Sequence, residues 1–440
     1  MLKNFWWPVE FGYNVTNKPL ELQALGQKFV LWRDSTGKVS CLSDLCVHRG
    51  GALSAGWLKN DSIVCPYHGW EFSGEGDCVK IPAQPQRGIP KKARVDSYPV
   101  VEKYGWVWAF LGDLPEAERP PIPDIPELDD PNFRRVTGQY YWEVNYERAI
   151  ENAMDPSHAA FVHGNRFGNP DNPLIRDFEV TLTDWSGIAH IKLSAPAKNL
   201  KGKWGRLVRR KAGGQESLQG TAADDPMPTK AGYYLPNVNI LEVPLPIGKM
   251  ILIDANVPID ENHTKSMFIG LRDFLKQPWA DKDAIKRVHY IFKQDDDVIN
   301  KQRPEMVPFN LTDEMHVRSD ALQVAYRRRR NELIEAGWGI NMHQIVGDGP
   351  RDLAYVIPSP ARRNNPELAR AWVHKEVESA RKLGKDDVAS PASGSPENAG
   401  GDAFFEIDEA GNKEMAAKNA ADRAAATAAA DTATNEETAS

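Results

Sequence analysis

Four side chains in one short region have the types and spacing for metal or redox chemistry. Cys46 and His48 stand in CVHRG, and Cys65 and His68 stand in CPYHGW. A structural zinc would take all four in a tetrahedron. A sulfide-bridged pair of irons would instead put both cysteines on one metal and both histidines on the other. Each segment places a Cys just ahead of a His, so two hairpin loops can clamp a two-iron rhomb from opposite sides. Zinc fingers usually pair Cys with Cys and His with His along the chain. Gly50, Gly51 and Gly69 would let backbone N–H groups approach the sulfurs. The spacing favours the cluster over zinc, and either over four unrelated core residues. Cys41 and Cys78, the two remaining cysteines, need no role beyond that of small buried hydrophobes.

A second constellation lies in ENAMDPSHAAFVH, where Asn152, Asp155, His158 and His163 follow one another. Residues five apart point well away from each other on an ideal helix. His158 and His163 can therefore share a ligand only where the helix is broken, and Pro156 supplies the break. Asp155-Pro156 also reads as an ordinary N-cap followed by proline in the first turn. The two readings are compatible, since one carboxylate oxygen can cap while the other bonds a histidine.

The composition narrows the function classes. The chain has 440 residues, 41% hydrophobic and 26% charged, with a formal net charge of -7. That is an ordinary globular composition without the basic face of a nucleic-acid binder. The basic run Arg327 to Arg330 reads as a solvated helix surface. No stretch approaches the roughly 18 apolar residues of a membrane span. MLKNFWWPVEFGY lacks an apolar signal region, so the expected location is the cytoplasm, where clustered thiols read as metal ligands before disulfides.

The elements that must position these residues follow from the patterning. KFVLWRD, KVSCLSD, DSIVCPYH and YGWVWAFLGD read as strands of a small all-β unit. The proline-rich ERPPIPDIPELDDP reads as an extended linker. The helical stretch NYERAIENAMDPSHAAFVH comes next, then strands in FEVTLTDWSGIAHIKLSA, NVNILEV, KMILIDANVPID and TKSMFIGLRDF. The polar stretch from Lys198 to Lys230 reads as a long loop or flap. ADKDAIKRVHYIFKQDDDVINKQRP has helical spacing, with Ile285, Val288, His289 and Phe292 on one face and Pro304 at its end. The Ala- and Asp/Glu-rich tail reads as disordered. The expected fold class is α+β, with an all-β domain over residues 1–118, a catalytic domain over 119–384 and the tail over 385–440.

CVHRG…CPYHGW, together with N-x-x-D-x-x-H-x₄-H, closely resembles the paired motifs of the Rieske non-haem iron oxygenases. The resemblance runs from about Asn4 to Arg330. Respiratory Rieske proteins carry an extra cysteine in each loop; Arg49, Gly50, Gly51, Gly69 and Trp70 occupy those places here, as in the oxygenase type. The resemblance implies a Rieske 2Fe–2S cluster on Cys46, His48, Cys65 and His68. It also implies a mononuclear Fe(II) on His158 and His163, in a helix-grip-like catalytic domain with an antiparallel sheet. The family takes its carboxylate ligand from a late helix. In FKQDDDVINKQRP the position seven before Gln302 is Asp295, which competes with Asp296 and Asp297. By the same resemblance Asp155 bonds His158 and, across a subunit boundary, the neighbour's His68, which implies a homotrimer, while Asn152 supports the site. Met154, Phe161 and Val162 are candidate pocket residues beside the iron.

RPEMVPFNLTDEMHVRSDALQVAYRR resembles the branch containing oxidative demethylases and pheophorbide-oxygenase-like monooxygenases. It implies O₂-dependent hydroxylation or dealkylation of an aromatic or polycyclic substrate. Electrons would come from a separate ferredoxin or flavin reductase, and so indirectly from NAD(P)H, because the chain has no dinucleotide or flavin fingerprint. A cis-dihydroxylating dioxygenase is the nearest alternative. A non-enzymatic electron carrier or redox sensor is one of a different class.

Overall fold

Period-2 apolar runs between tight turns build the N-terminal unit. The computed structural model describes residues 1–164, 168–193, 227–245, 248–347 and 352–380. Strands β1 (Phe5–Phe11), β10 (Trp106–Leu111) and β9 (Val100–Lys103) form one antiparallel sheet. A second holds β2 (Leu20–Ala24), β3 (Gln27–Arg33) and β4 (Val39–Ser43). The third holds β5 (Trp57–Lys59), β6 (Ser62–Val64), β7 (Glu71–Phe72) and β8 (Cys78–Lys80). The first Cys/His loop follows β4, and the second is the turn between β6 and β7.

The second unit is a seven-stranded antiparallel sheet. Its strands are β11 (Arg134–Trp142), β12 (Arg176–Leu182), β13 (Ser186–Leu193), β14 (Met227–Tyr234), β15 (Val238–Leu245), β16 (Gly248–Pro258) and β17 (Thr264–Arg272). Their order across the sheet is β11-β17-β16-β15-β14-β13-β12. The residues expected to form a long loop lie outside the described ones up to 226, and from Met227 onward the chain is already strand β14. Residues 385–440 also lie outside the described ones. Strand β11 is not announced by the sequence, because RRVTGQYYW has no clean alternation. Its register comes from β17, which it pairs from Arg134↔Arg272 to Trp142↔Thr264.

Strand β16 shows how one sheet serves two purposes. Successive side chains point to opposite faces. Met250, Leu252, Asp254 and Asn256 line a cavity, while Ile251, Ile253, Ala255 and Val257 enter the main core. That core is shared with the N-terminal unit, since Trp7, Phe11, Trp106 and Trp108 belong to the same cluster. A separate small core around Trp32, Leu53, Ile63 and Phe72 supports the Cys/His loops.

Three helices cover the cavity face. Helix α1 (Tyr146–Met154) starts at Asn145, whose side chain accepts from the backbone N–H of Glu147 at 3.0 Å. A short α2 (Ala159–Val162) follows the break at Pro156. Helix α3 (Asp281–Ile299) packs on β11 and β17 through Val288, Phe292 and Ile299. It ends at Asn300, before Pro304, so the proline follows the stop rather than making it.

The basic run departs from its solvated expectation. On helix α4 (Ala321–Leu333), Arg328 is exposed but Arg327 and Arg330 are buried. Arg327 pairs with Glu151 and Glu314, and Arg330 Nη1 lies 2.7 Å from Glu147 Oε2. Residues three apart share a helix face, and this one meets Glu147 and Glu151, four apart on α1. The opposing carboxylates, invisible in the local sequence, allow the burial.

The chain finally returns to the N-terminal unit, where residues after 352 pack against β3 and the stretch before β9. Tyr98 Oη donates to the Ile357 carbonyl at 2.6 Å, and Gln27 Oε1 accepts from the Ile357 N–H at 2.6 Å. Arg362 makes a two-pronged pair with Asp96 at 2.8 and 2.7 Å and lies over the Trp372 ring. No helix among the described residues is long and apolar enough to cross a membrane.

Candidate metal centres and substrate cavity

The two Cys/His loops are near copies in hydrogen bonding. Cys46 N–H donates to the Gly51 carbonyl at 2.8 Å and Cys65 N–H to the Trp70 carbonyl at 2.8 Å. Gly50 and Gly69 N–H groups turn back onto the Cys46 and Cys65 carbonyls at 2.8 and 2.9 Å. Both glycines sit at positive φ, +69° and +71°, a conformation that disfavours a side chain. These two N–H groups are thus spent on closing the turns, not on the sulfurs as the sequence suggests.

Cys46 and Cys65 are buried, whereas His48 is half-buried and His68 exposed. The imidazole rings of His48 and His68 are 4.5 Å apart, and Trp70 stacks on His48 at 4.5 Å. Burial pushes the Cys46 thiol up to about 12, so a metal is needed to draw off its proton. His48 Nδ1 is buried without a hydrogen-bond partner. Paired thiols on the inner side and paired imidazoles on the outer side fit a two-iron cluster, in which Cys46 and Cys65 would hold the inner iron and His48 and His68 the outer one.

The other centre is assembled from distant segments. Helix α1 stops at Met154 with Asp155 as its C-cap, and Pro156 redirects the chain so that His158 and His163 converge. Asp295 comes from the buried face of α3, three residues beyond Phe292. One donor atom each of His158, His163 and Asp295 lies within 4.8 Å of the others. His163 Nε2 and His158 Nε2 are 3.1 and 3.5 Å from Asp295 Oδ1, yet that oxygen has no hydrogen-bond partner. Burial holds the His158 imidazole below its ordinary pKa, in the neutral form that a metal requires. His163 Nδ1 faces Gln294 Oε1 at 3.3 Å, and Gln294 Nε2 donates to the Val162 carbonyl at 3.1 Å. An N–H on Nδ1 leaves the Nε2 lone pair free toward Asp295. This donor set fits a divalent iron with open positions.

The competing aspartates point elsewhere. Asp296 accepts from Tyr140 Oη at 3.0 Å, and exposed Asp297 pairs with Lys293. Asp155 is not an N-cap, because α2 begins after His158. Its Oδ1 accepts from the Ser157 N–H at 2.6 Å. Oδ2 stops 3.8 Å from His158 Nδ1, too far for a hydrogen bond, and that Nδ1 has no partner.

An apolar cavity opens beside the three converging residues. Ile191, Leu193, Ala231, Leu241, Val243 and Leu252 form much of its wall, and Asn152, Asp155 and Asp254 are among its polar groups. Met154, Phe161 and Val162 do not line it, which corrects the sequence expectation. Met154 is fully buried in the main core, and Phe161 is 53% exposed. The chain turns at Pro156, so neighbours of the histidines in sequence are not their neighbours around the cavity. Asp254 and Asn256 were missed. The available signal was their alternation within the otherwise apolar ILIDANVP, which places both on one face of the strand.

The Rieske 2Fe–2S domain family matches residues 5–101, and the vanillate O-demethylase oxygenase C-terminal domain family matches residues 142–336. The chain is 28% identical over 352 residues to methylxanthine N1-demethylase of Pseudomonas putida, covering 76% of this chain and 90% of that one. It is 37% identical over 162 residues to the oxygenase component of dicamba O-demethylase from Stenotrophomonas maltophilia, covering 37% of this chain and 48% of the relative. Among solved structures, the Pseudomonas putida demethylase NdmA with caffeine superposes with a TM-score of 0.63 at 25% identity, over 76% of this chain and 91% of that one. Dicamba monooxygenase bound to dicamba shares the fold at a TM-score of 0.60 and 24% identity, over 76% and 97%. The two domains in this order, with demethylase oxygenases as relatives, identify the chain as a member of the Rieske non-haem iron oxygenases: a terminal oxygenase carrying a 2Fe–2S cluster and a mononuclear iron, supplied with electrons by separate proteins.

Proposed function

We propose that this oxygenase oxidatively removes a methyl group from oxygen or nitrogen on an aromatic substrate, or hydroxylates it, with the mononuclear iron on His158, His163 and Asp295 and the cluster on Cys46, His48, Cys65 and His68. The observation that carries the reading is the convergence of two imidazoles and one unpartnered carboxylate oxygen beside an apolar cavity. The iron, when bound, supplies O₂ activation driven by electrons relayed through the cluster. The chain's own residues hold it and shape what reaches it. Neutral His158 presents a lone pair, and Gln294 orients the His163 ring. Aliphatic walls seat a planar ring and keep bulk water away from the reacting methyl group. O₂, two electrons and two protons convert a methyl ether into an alcohol, formaldehyde and water.

Exposed His68 and the half-exposed Asp155 carboxylate support an arrangement in which one subunit's cluster faces the next subunit's iron. A homotrimer, a cytoplasmic location and a 1–118/119–384 division, with 352–380 packed back on the first part, complete the proposal. Turnover under ¹⁸O₂ with a panel of aromatic methyl ethers and N-methyl heterocycles, reading formaldehyde and labelled product, tests it. Formaldehyde release with one labelled atom per turnover is expected, and cis-diols with two labelled atoms would refute it.

A further inference from the structure

One side chain of the cavity belongs neither to the metal set nor to the apolar wall. Asp254 is 5% exposed and lies on the cavity face of β16, across from Asn239 on β15. A carboxylate is rarely buried unless it is paired. Asp254 has no cationic partner among the described residues. Its Oδ2 accepts from Asn256 Nδ2 at 2.6 Å, and its Oδ1 has no partner among the described residues. Asn256 cannot swing away, because its other bonds run to Asn239 Oδ1 at 2.9 Å and to Ser266 Oγ, which in turn accepts from Trp142 Nε1 at 2.6 Å. The sheet floor therefore holds the Asp254 carboxyl in one orientation, with an acceptor left over.

The rest of the wall sharpens the point. Among the described residues the cavity is lined by no Lys or Arg, while Asp155 and Asp295 add further acidic groups. An anionic substrate would meet the Asp254 carboxyl and find no cationic side chain there to offset its desolvation.

We propose that Asp254 is the specificity-determining residue of the cavity, accepting a hydrogen bond from an N–H, O–H or ammonium group on an otherwise apolar aromatic substrate and excluding aromatic carboxylates. This rests on the demethylase reading and specifies its substrate class. Burial raises the Asp254 carboxyl to about 7, the behaviour of an acid kept for want of a charged partner. A ligand ammonium would be that partner.

The test is equilibrium binding to the iron- and cluster-loaded enzyme, held anaerobic, by calorimetry. The probes are 4-methoxybenzylamine, 4-methoxybenzamide, 4-methylanisole and 4-methoxybenzoate. The amine and the amide should bind at least about tenfold more tightly than the benzoate. In Asp254→Asn, which removes the charge but keeps the size, the amine-to-benzoate ratio should fall towards one with iron content unchanged. Equal binding of amine and benzoate to the unaltered enzyme would overturn the inference, with or without a foldable variant, as would an unchanged ratio in Asp254→Asn or no binding of any probe. Binding in the expected order, with no formaldehyde released when the same loaded enzyme is then given O₂ and reduced electron donor, would overturn the demethylase reading and leave the role of Asp254 standing.

Discussion

All four side chains of the cluster loops lie between Cys46 and His68, on two turns with the same hydrogen-bond scheme. The candidate iron ligands run from His158 to Asp295 and sit on helices separated by most of the seven-stranded sheet. The cluster loops have their own small core around Trp32 and Phe72. The iron site is flanked by a small core too, but one whose residues, Trp142, Ala149, Leu252 and Phe292 among them, come from β11, α1, β16 and α3. It depends on α1, α2 and α3 being held in place by partners elsewhere, among them the buried arginines of α4. One centre is a local device repeated twice, and the other exists only when the domain is assembled. Disturbing tertiary packing should therefore empty the second before the first, and strain confined to a turn should do the reverse.

The largest effect should come from the ligands themselves. His163→Ala should lower iron from about three to about two atoms per chain, abolish turnover and leave the cluster's visible and EPR spectra unchanged. Loss of the cluster signals in that variant would contradict the independence of the two centres.

Next is the buried ion-pair network. Arg327→Met leaves Glu151 and Glu314 with Arg148 as their one remaining shared partner, and removing one member of a buried pair costs up to about 3–5 kcal/mol. Denaturant unfolding should register that loss, and partial denaturation should release mononuclear iron while the cluster absorbance persists.

A smaller, opposite result should follow Gly69→Ala. Its φ of +71° costs an L-residue about 1–2 kcal/mol, and the added Cβ would lie 3.3 Å from Pro82 Cγ. Cluster occupancy should fall with the mononuclear iron retained, as metal analysis and EPR would show.

The smallest effect concerns pH. Asp281, at the start of α3, receives Arg134 and Arg272 guanidinium hydrogen bonds at 2.6 and 2.5 Å. Hydrogen bonding to Arg134 above all holds its carboxyl at about 2. A carboxylate depressed in the folded state contributes stability above its unfolded value near 4 and loses it as pH falls toward 2. Its setting is largely solvated, so the contribution is roughly 1 kcal/mol after screening. Asp281→Asn should therefore lower stability at pH 6–7 and flatten its decline between pH 4 and pH 2, as measured by urea titration.

Most of the chemistry was legible in the residues because it depends on short spacing. A Cys followed closely by a His, with glycine in the turn, specifies a loop whatever surrounds it, and a proline between His158 and helix α1 breaks that helix wherever it lies. Asp295 could be singled out from three aspartates only by its spacing from QRP. In the structure it is the one of the three on the same buried face as Val288 and Phe292. The cavity residues were misplaced because sequence neighbours of a histidine diverge once the chain turns, which buried Met154 and exposed Phe161. Arg327 and Arg330 were read as solvated because their partners stand on α1, far back in the sequence.

The sequence by itself determined the strand-rich N-terminal unit, the paired Cys/His loops, the broken helix and the candidate aspartate, since each follows from local periodicity or from a turn that only certain residues can make. Tertiary structure alone decided that β11 joins the sheet, that residues 352–380 fold back on the N-terminal unit, and that Asp254 faces the same cavity as His158 and Asp295. Those outcomes depend on which distant surface becomes available to pair with, or bury, a given face, and no local pattern of side chains carries that information.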